Sequence, residues 1–323
     1  MKRIGIDVGA TKTVIATLDE AGSLRAFHKV PSAQMLRVKD DAVNSLQFFI
    51  DEYMQNESID RSSVMGVGIG VPAVLDSHSQ EIVSCPNLPG LDQLPLSRLL
   101  APKLGLPVVV ENDVNLIALG EHAYGRGRGV DDLACIFVGS GLGCGLILRG
   151  QLYTGADGAA AEFGHTISEP DGRICGCGAQ GCIEIYCSGR AFSIDAEELG
   201  FSRDEDSSQG EEKEDYGQWS LAEKLIRAAN AGDEKPIQAL KMAFYRLGLA
   251  TTNLVNILNP RLIILGGGIV SGWPQGLDMV RDTVRKRARA VVRDRVEFDY
   301  PALGDQAGLY GAGRLVELET AKR

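Results

Sequence analysis

The stretch RIGIDVGATKTVIATL, residues 3–18, decides the fold class, because two apolar segments flank a short turn that contains Gly9. Short apolar runs rich in Val, Ile and Thr predict strands, and glycine permits the tight turn between them. The same pattern returns at residues 133–152 as LACIFVGSGLGCGLILRGQL. Two such hairpins in one chain predict two domains of related design.

Outward from these hairpins, predicted strands and helices alternate along the chain. The first half is predicted to contain a helix at residues 40–55, strands at 65–74 and 107–113, and a helix at 114–124. The second half is predicted to contain helices at 220–232, 234–259 and 276–289, a strand at 261–265 and a C-terminal helix. Such alternation is typical of an α/β protein, here with two domains and a cleft between them. We expect a smaller α/β domain at residues 1–116, completed by the C-terminal helix at 306–323, and a larger one at 117–305.

The composition limits the classes of partner. The chain has 323 residues, 44% of them hydrophobic, and a net charge of −10. The acidic excess disfavours binding to nucleic acid or to an acidic membrane surface. Asp7 interrupts the first apolar run, and no run is long enough to span a membrane, so we expect a cytoplasmic protein with reduced cysteines. Residues 203–215, RDEDSSQGEEKED, are predicted to form a solvated loop without chemistry of its own.

Three turns that contain glycine are candidates for a phosphate site. The first offers Gly9 for close approach, Thr11 and Lys12 as donors, and Asp7 as a ligand for Mg²⁺ or its water. The other candidate residues are Gly139, Ser140, Gly141, Gly266, Gly267 and Gly268. The first two turns, if they face one cleft, would hold a triphosphate, although ordinary polar or strand-to-helix turns have the same composition. None of the three matches the Walker phosphate loop or the dinucleotide signature.

Polar side chains close the strand predicted at residues 107–113, directly before a helix. Glu111, Asn112 and Asp113 follow the apolar run VVV. Strand ends in α/β domains face the ligand crevice, so these side chains are predicted to meet a substrate. The alternative is a helix cap, because Asn and Asp are favoured at that position.

The segment CGCGAQGCIE, residues 175–184, contains three of the seven cysteines of the chain. Together with the preceding histidine, it supplies the closed tetrahedral donor set of a structural zinc site, namely His165, Cys175, Cys177 and Cys182. A partial disulfide is the alternative, which a reducing compartment disfavours, and CxC is not the CxxC spacing of thioredoxin-type redox sites. The other cysteines are predicted to pack as small apolar groups, namely Cys85, Cys135, Cys144 and Cys187.

A zinc ion in this loop, residues 165–184, would connect the segments that carry Glu162 and Glu184. Charged acceptors form strong hydrogen bonds with hydroxyl groups and so fix the orientation of a polyhydroxy ligand such as a sugar. Each glutamate alone could simply be exposed. With Asn112 and Asp113, the two glutamates predict an acceptor-rich pocket.

Taken jointly, these motifs resemble the ROK family of bacterial sugar kinases, which have the actin, Hsp70 and hexokinase-like (ribonuclease H-like) fold. The resemblance covers nearly the whole chain and rests on DVGATK at 7–12, END at 111–113, GSGLG at 139–143, EFGH at 162–165, CGCGAQGC at 175–182 and LGGG at 265–268. The segment AAEFGHTISEPDGRICGCGAQGC is especially similar to the glucokinases of the family.

The resemblance implies an ATP-dependent kinase for the 6-hydroxyl of glucose, with Asp113 as the base that accepts the hydroxyl proton. The sugar contacts that it implies are Gly70, Asn87, Asn112, Asp113, Glu162, His165 and Glu184. His165 would also ligate zinc, the three turns would hold Mg-ATP, and relatives suggest a homodimer or homotetramer. Ala73 departs from the glycine that is common in the family and could reshape the sugar pocket.

Several alternatives stay open at this point. The hexose could be N-acetylglucosamine, N-acetylmannosamine, mannose, fructose or allose, and the donor could be polyphosphate. A sugar-sensing ROK regulator without catalysis is a further alternative, although DVGATK begins at residue 7 and such regulators carry a helix-turn-helix domain before it. A chaperone or filament ATPase of the same superfold is disfavoured, because it has no use for a His/Cys₃ loop.

Overall fold

The computed structural model describes residues 1–35, 41–76, 79, 81–202 and 216–322. The acidic loop predicted at residues 203–215 lies outside the described residues. None of the helices in the described ranges is long and apolar enough to cross a membrane.

Strands and helices alternate along the chain, as the sequence predicts. The strands are β1 (Lys2–Val8), β2 (Lys12–Leu18), β3 (Leu24–Pro31), β4 (Val64–Val71), β5 (Val74–Leu75), β6 (Ile82–Ser84), β7 (Val108–Asn112), β8 (Leu133–Val138), β9 (Leu142–Leu148), β10 (Gln151–Leu152), β11 (Leu262–Gly266) and β12 (Glu297–Asp299). The helices are α1 (Ser32–Met35), α2 (Ala42–Asn56), α3 (Leu96–Leu104), α4 (Asp113–Tyr124), α5 (Gly189–Glu198), α6 (Tyr216–Asn230), α7 (Glu234–Leu258), α8 (Gly268–Gly272), α9 (Gln275–Arg287), α10 (Ala290–Arg293) and α11 (Ala307–Ala321).

Two five-stranded sheets organise these elements. Their strand orders are β3-β2-β1-β4-β7 and β10-β9-β8-β11-β12, and β5 pairs with β6 separately. In the first sheet β1 is antiparallel to β2 and parallel to β4, and in the second β11 is parallel to β8 and β12. Each hairpin around a glycine turn therefore supplies two neighbouring strands of one sheet. This arrangement confirms the predicted α/β class and accounts for the repeat in the sequence.

The chain divides into two compact units. Unit 1 comprises residues 1–130, 145–160 and 301–323, and unit 2 comprises residues 131–144 and 161–300. The division into folding domains at 1–116 and 117–305 stays a prediction, because compactness alone does not test which segments fold independently.

In unit 1 the C-terminal helix α11 packs closely on the sheet and on α4. A Cβ atom at Gly68 would lie 2.3 Å from the carbonyl oxygen of Ala312, and one at Gly311 would lie 1.8 Å from that of Leu116. Only glycine leaves room for backbones to approach this closely. Fully buried side chains of β1 and β4, such as Ile6, form the core beneath.

In unit 2 the strands β8 and β11 are buried along nearly their whole length. Such continuous burial is typical of parallel strands that helices cover on both faces. Gly276 of α9 lies where a Cβ atom would be 2.3 Å from the ring of Phe244 in α7, so these helices also meet through glycine.

The sequence patterns did not reveal β3, α3 and α5. Strand β3 alternates half-buried and exposed positions and buries no residue fully, so its apolar signal is weak. Helix α3 contains Pro102, a residue that normally argues against a helix.

Candidate functional site

The carboxyl ends of three neighbouring parallel strands carry the first group of candidate residues. Asp7 of β1 is paired with Gly70 of β4, and Gly70 is paired with Glu111 of β7. A Cβ atom at Gly70 would lie 3.7 Å from the Cα atom of Asp113. The topology of the first sheet therefore brings Asp7, Gly70 and Asp113 together within unit 1.

Asn112 caps helix α4, as the alternative interpretation of the END motif predicted. Its Oδ1 accepts the N–H groups of Val114 at 2.9 Å and Asn115 at 3.1 Å, and its Nδ2 donates to the carbonyl of Ala73 at 3.2 Å. Asp113 is the first residue of the helix, is half-buried, and accepts from Val114 at 2.9 Å through Oδ1. Because Asn112 already caps the helix, the helix does not depend on Asp113 for its cap.

The pKa values of the two aspartates lie near neutral pH. Burial among protein atoms raises the pKa of Asp113 to about 7, and the negative charge of Asp7 contributes in the same direction. Burial likewise raises the pKa of Asp7 to about 6, although Lys12 opposes this shift. A carboxyl group whose pKa is close to the operating pH is well suited to accept a proton from a substrate.

Glu111 hydrogen-bonds to neighbouring residues that form the turn from β7 into α4. Its Oε1 accepts the N–H of Asn112 at 2.9 Å and the Nδ2 of Asn115 at 3.0 Å. Burial raises the pKa of its carboxyl group. These contacts fix the polypeptide turn from β7 into α4 and hold it beside the neighbouring strand ends.

The first glycine turn is held by a serine that no sequence pattern indicates. The N–H of Gly9 donates to the carbonyl of Lys12 at 3.0 Å and closes the turn. Ser32, which is 2% exposed, donates its N–H to the carbonyl of Thr11 at 2.9 Å and its hydroxyl to that of Gly9 at 2.6 Å. The Lys12 ammonium, 3.4 Å from the exposed Asp305 carboxylate, lies at the surface.

The second glycine turn meets the start of helix α5. The N–H of Gly139 donates to the carbonyl of Gly141 at 2.9 Å. The N–H groups of Gly189 and Arg190 donate to the carbonyls of Gly139 at 2.8 Å and Ser140 at 3.2 Å. The first turn of α5 therefore fixes the turn conformation.

The third glycine segment packs on the end of β8. Gly266 ends β11 opposite Phe137, and Gly268 begins helix α8. Gly267 has a φ of +100°, and a Cβ atom there would lie 2.3 Å from the carbonyl oxygen of Val138. Because Val138 directly precedes Gly139, the second and third segments are neighbours within unit 2.

The predicted zinc ligands form one cluster. Their ligand atoms all lie within 4.8 Å of one another, with 3.8 Å from Cys175 Sγ to His165 Nδ1 and 3.7 Å from Cys177 Sγ to Cys182 Sγ. In a tetrahedron with zinc–sulfur bonds of about 2.3 Å, neighbouring sulfurs are about 3.8 Å apart. The cluster is therefore consistent with a zinc site of the expected donor set. All seven cysteines are free thiols.

The two predicted sugar-binding glutamates lie beside this cluster. Glu184 accepts the N–H of Leu142 at 2.9 Å through Oε2, while its Oε1 lies 4.0 Å from Cys175 Sγ. Glu162 Oε2 lies 3.8 Å from the Nε2 of His165, and Nε2 is not the ring nitrogen that faces the cysteine. Burial raises the pKa of Glu162, with a contribution from the charge of Glu184 that His165 opposes. The loop thus holds both carboxylates in one region of unit 2 and connects Glu184 to the second glycine turn.

Asn87 is exposed in the loop that follows β6. Two residues earlier, the Sγ of Cys85 lies 3.6 Å from the carbonyl oxygen of Pro72. Pro72 precedes Ala73, whose carbonyl accepts the Asn112 side chain. The loop of Asn87 therefore lies against the segment that follows β4.

The cysteines outside the cluster pack as predicted. Each is buried, namely Cys85, Cys135, Cys144 and Cys187. Burial raises the pKa of the Cys85 thiol to about 11 and that of Cys144 to about 12, so neither is a thiolate at neutral pH.

Known proteins resemble this chain in sequence and in fold. The model of the ROK family matches residues 3–319. A glucokinase from Streptomyces coelicolor is 33% identical over 318 residues, which are 97% of this chain and 96% of that protein. A xylose repressor from Caldicellulosiruptor bescii is 29% identical over 318 residues, which are 97% of this chain and 77% of that protein.

A solved structure extends the comparison to three dimensions. The ROK family glucokinase from Streptomyces griseus, in complex with glucose and AMPPNP, is 31% identical, with a TM-score of 0.79. The match covers 98% of this chain and 100% of that one, so it includes both five-stranded sheets. With the family model matched over nearly its full length and the actin-like hexokinase fold in place, the chain belongs to the ROK family.

Proposed function

We propose that this protein is an ATP-dependent sugar kinase that phosphorylates the 6-hydroxyl of glucose. The observation that carries the proposal is the environment of Asp113. Its Cα atom lies close to Gly70 at the strand ends, its side chain is not required as the helix cap, and its carboxyl group has a pKa raised to about 7. Glucokinases related over almost the whole chain support the choice of glucose.

Asp113 is proposed to orient the sugar hydroxyl and to accept its proton. Phosphoryl transfer proceeds through a loose transition state, so catalysis depends chiefly on positioning and on neutralising charge. A carboxylate with a pKa near 7 accepts the late-leaving proton more readily than one at the ordinary value of 3.8.

The residues proposed to contact the sugar hydroxyls are Gly70, Asn87, Asn112, Asp113, Glu162, His165 and Glu184. A zinc ion held by His165, Cys175, Cys177 and Cys182 would serve as a structural cross-link. With Nδ1 directed at the cluster, His165 would present Nε2 on the side of Glu162 to a hydroxyl.

Mg-ATP is proposed to bind at the glycine turns. Backbone N–H groups of these turns suit phosphate oxygens, and Asp7 suits Mg²⁺ or its water. The residues proposed for this role are Asp7, Gly9, Thr11, Lys12, Gly139, Ser140, Gly141, Gly266, Gly267 and Gly268. A cytoplasmic homodimer or homotetramer is part of the same proposal.

A coupled assay of ADP release over a panel of hexoses tests the proposal. Purified protein is offered glucose, mannose, fructose, allose, N-acetylglucosamine and N-acetylmannosamine, with ATP and separately with polyphosphate. We expect glucose with ATP to have the highest kcat/KM. If no hexose supports ADP release above the rate without sugar, the protein is not a hexokinase.

A sugar-responsive regulator is the second candidate, because a xylose repressor aligns with nearly all of this chain at 29% identity. A regulator would bind its sugar without turnover. Calorimetric titration with the same sugars separates the kinase from the regulator. A regulator should give binding heat with a sugar for which the assay detects no ADP release.

A further inference from the structure

Arg173 lies in the loop between the clustered His165 and Cys175 and has no role in the proposed chemistry. Its N–H donates to the hydroxyl oxygen of Tyr186 at 2.6 Å, and its carbonyl accepts the N–H of Gly181 at 2.9 Å. The backbone of Arg173 thus joins both sides of the zinc loop, residues 165–184, to Tyr186, two residues after the loop ends.

The side chain of Arg173 ties this loop to helix α5. Its guanidinium donates to Asp195 Oδ1 at 2.8 Å and to both oxygens of Glu198 at 3.0 and 3.1 Å. The side chain of Asp195 is only 17% exposed and that of Arg173 32% exposed, so this pair is better shielded from water than a surface ion pair. The planar guanidinium can hold two carboxylates at once, which a lysine ammonium does with less geometric precision.

A second arginine secures the loop from helix α7. The guanidinium of Arg246 lies 4.5 Å from the centre of the Tyr186 ring and pairs with Glu169 of the loop at 2.8 Å. Arg173 lies 5.8 Å from the same ring centre. Arg173, Arg246 and Tyr186 border a cavity of about 320 Å³, but the charged groups that line it already have protein partners. The arrangement therefore fits a clamp on the loop better than a ligand site.

We propose that Arg173 is a positioning residue for the sugar site. By fixing Tyr186 it also fixes Glu184, two residues earlier, and through its own backbone it fixes Cys175, two residues later. Carboxylates that bind a ligand must be held to within about 0.5 Å, so a loosened loop weakens the contacts of Glu184. This inference rests on the proposed function, because Glu184 is a sugar contact in that proposal.

The test compares Arg173→Ala, Arg173→Lys and Asp195→Asn with the wild-type protein. Arg261→Ala is the matched control, because Arg261 forms an exposed ion pair with Glu297 in the same unit but outside the loop. Two readouts are taken: KM and kcat for glucose, and the rate of zinc transfer to a chromogenic chelator. The second readout needs no catalysis.

Arg173→Ala is expected to raise the KM for glucose and the rate of zinc release about 10-fold, as loss of supporting contacts does at metal sites. We expect kcat to change by less than about twofold, because the contacts of Asp113 with Val114 and Asp7 involve no residue of the loop. Arg173→Lys should recover part of both effects, and Arg261→Ala should behave as the wild type.

A folded Arg173→Ala protein with wild-type KM and wild-type zinc release would overturn the inference, and so would equal changes in Arg261→Ala. If Arg173→Ala does not fold, Asp195→Asn decides by the same two readouts. If the wild-type protein phosphorylates no hexose, the proposed function fails, while zinc release alone still decides whether Arg173 clamps the loop.

Discussion

A polar residue at the start of a helix can cap that helix or do chemistry, and we propose that Asn112 and Asp113 divide these tasks. Asn112 accepts two backbone N–H groups of α4, whereas Asp113 has a pKa near 7 beside Asp7. The sequence predicts both roles for either residue, because Asn and Asp are both favoured caps. Only the hydrogen bonds distinguish them. Ser32 was beyond prediction for a related reason, since a serine between predicted elements has no distinguishing pattern.

Replacing Asp113 with Asn should remove the base while keeping an oxygen for the Val114 N–H. We expect kcat for glucose to fall about 10²- to 10⁴-fold, the usual contribution of a positioned base. The affinity for glucose, measured by calorimetry, should change little. Asp41→Asn is the control, because Asp41 caps α2 by accepting the Asn44 N–H at 3.0 Å. An Asp113→Asn protein with more than about a tenth of wild-type turnover would remove Asp113 from the role of base.

The raised pKa of Asp113 predicts how activity depends on pH. The base must be deprotonated, so kcat/KM for glucose should rise with pH and level off above about 7. An aspartate with the ordinary pKa of 3.8 would give a flat profile over pH 5 to 8. A flat profile would therefore contradict the assigned environment.

The same shift predicts an effect on stability. Between pH 3.8 and about 7 the folded state holds a proton on Asp113 that the unfolded state has released, so the free energy of unfolding falls as pH rises through this window. Asp113→Asn removes this dependence. Its thermal midpoint, relative to wild type, should therefore be higher at pH 8 than at pH 5, and calorimetric scans that show no such difference would exclude the shift.

Among the elements of the fold, the zinc loop depends more on its metal-binding side chains than on buried apolar ones. Of its three isoleucines, Ile183 is fully buried, but Ile167 and Ile174 are 55% and 74% exposed, so the hydrophobic effect holds mainly the end of the loop at Ile183. Metal ligation can supply the missing stability. The donor types and their spacing predicted the cluster correctly because zinc chemistry prescribes them. The contacts of Arg173 with Asp195 and Glu198 of α5 could not be predicted, because an arginine and two acids far apart in sequence form no recognisable pattern.

Replacing Cys177 with Ser should release the metal. Cys177 is exposed, so the substitution changes packing little and mainly weakens one zinc bond. We expect zinc content, measured by atomic absorption, to fall from about one ion per chain to well below half of that. The KM for glucose should rise as Glu162 and Glu184 lose their support.

Cys85→Ala is the control for Cys177→Ser, since Cys85 is buried in unit 1 and is not one of the predicted zinc ligands. It should lower stability and leave the zinc content unchanged. A Cys177→Ser protein with full zinc and an unaltered KM would show that the cluster does not support the sugar site.

For the whole molecule, the class of fold was predictable because each hairpin has a local signal, namely apolar strands around a glycine turn. The close contacts of α11 with β4 and α4 were not predictable, because Gly68 meets Ala312, and Gly311 meets Leu116, only after the chain returns to unit 1. Glycines of this kind look like ordinary helix or strand interruptions in the sequence.

The packing of α11 predicts unequal costs for two substitutions on one helix. Gly311→Ala would place its Cβ atom 1.8 Å from the Leu116 carbonyl oxygen, and only a backbone shift relieves that overlap. Gly313→Ala would meet the flexible end of Leu18 at 2.8 Å. We expect losses in the free energy of unfolding of about 3 and about 1 kcal/mol respectively, measured by denaturant titration. Equal losses would argue against the close approach of α11 to α4.

The protein is proposed to transfer the γ-phosphoryl group of ATP to the 6-hydroxyl of a hexose. The most direct measurement compares ADP release with glucose and with 6-deoxyglucose, which lacks only that hydroxyl. We predict rapid ADP release with glucose and only the sugar-free rate with 6-deoxyglucose. Equal rates with the two sugars, or no release with glucose, would contradict the account.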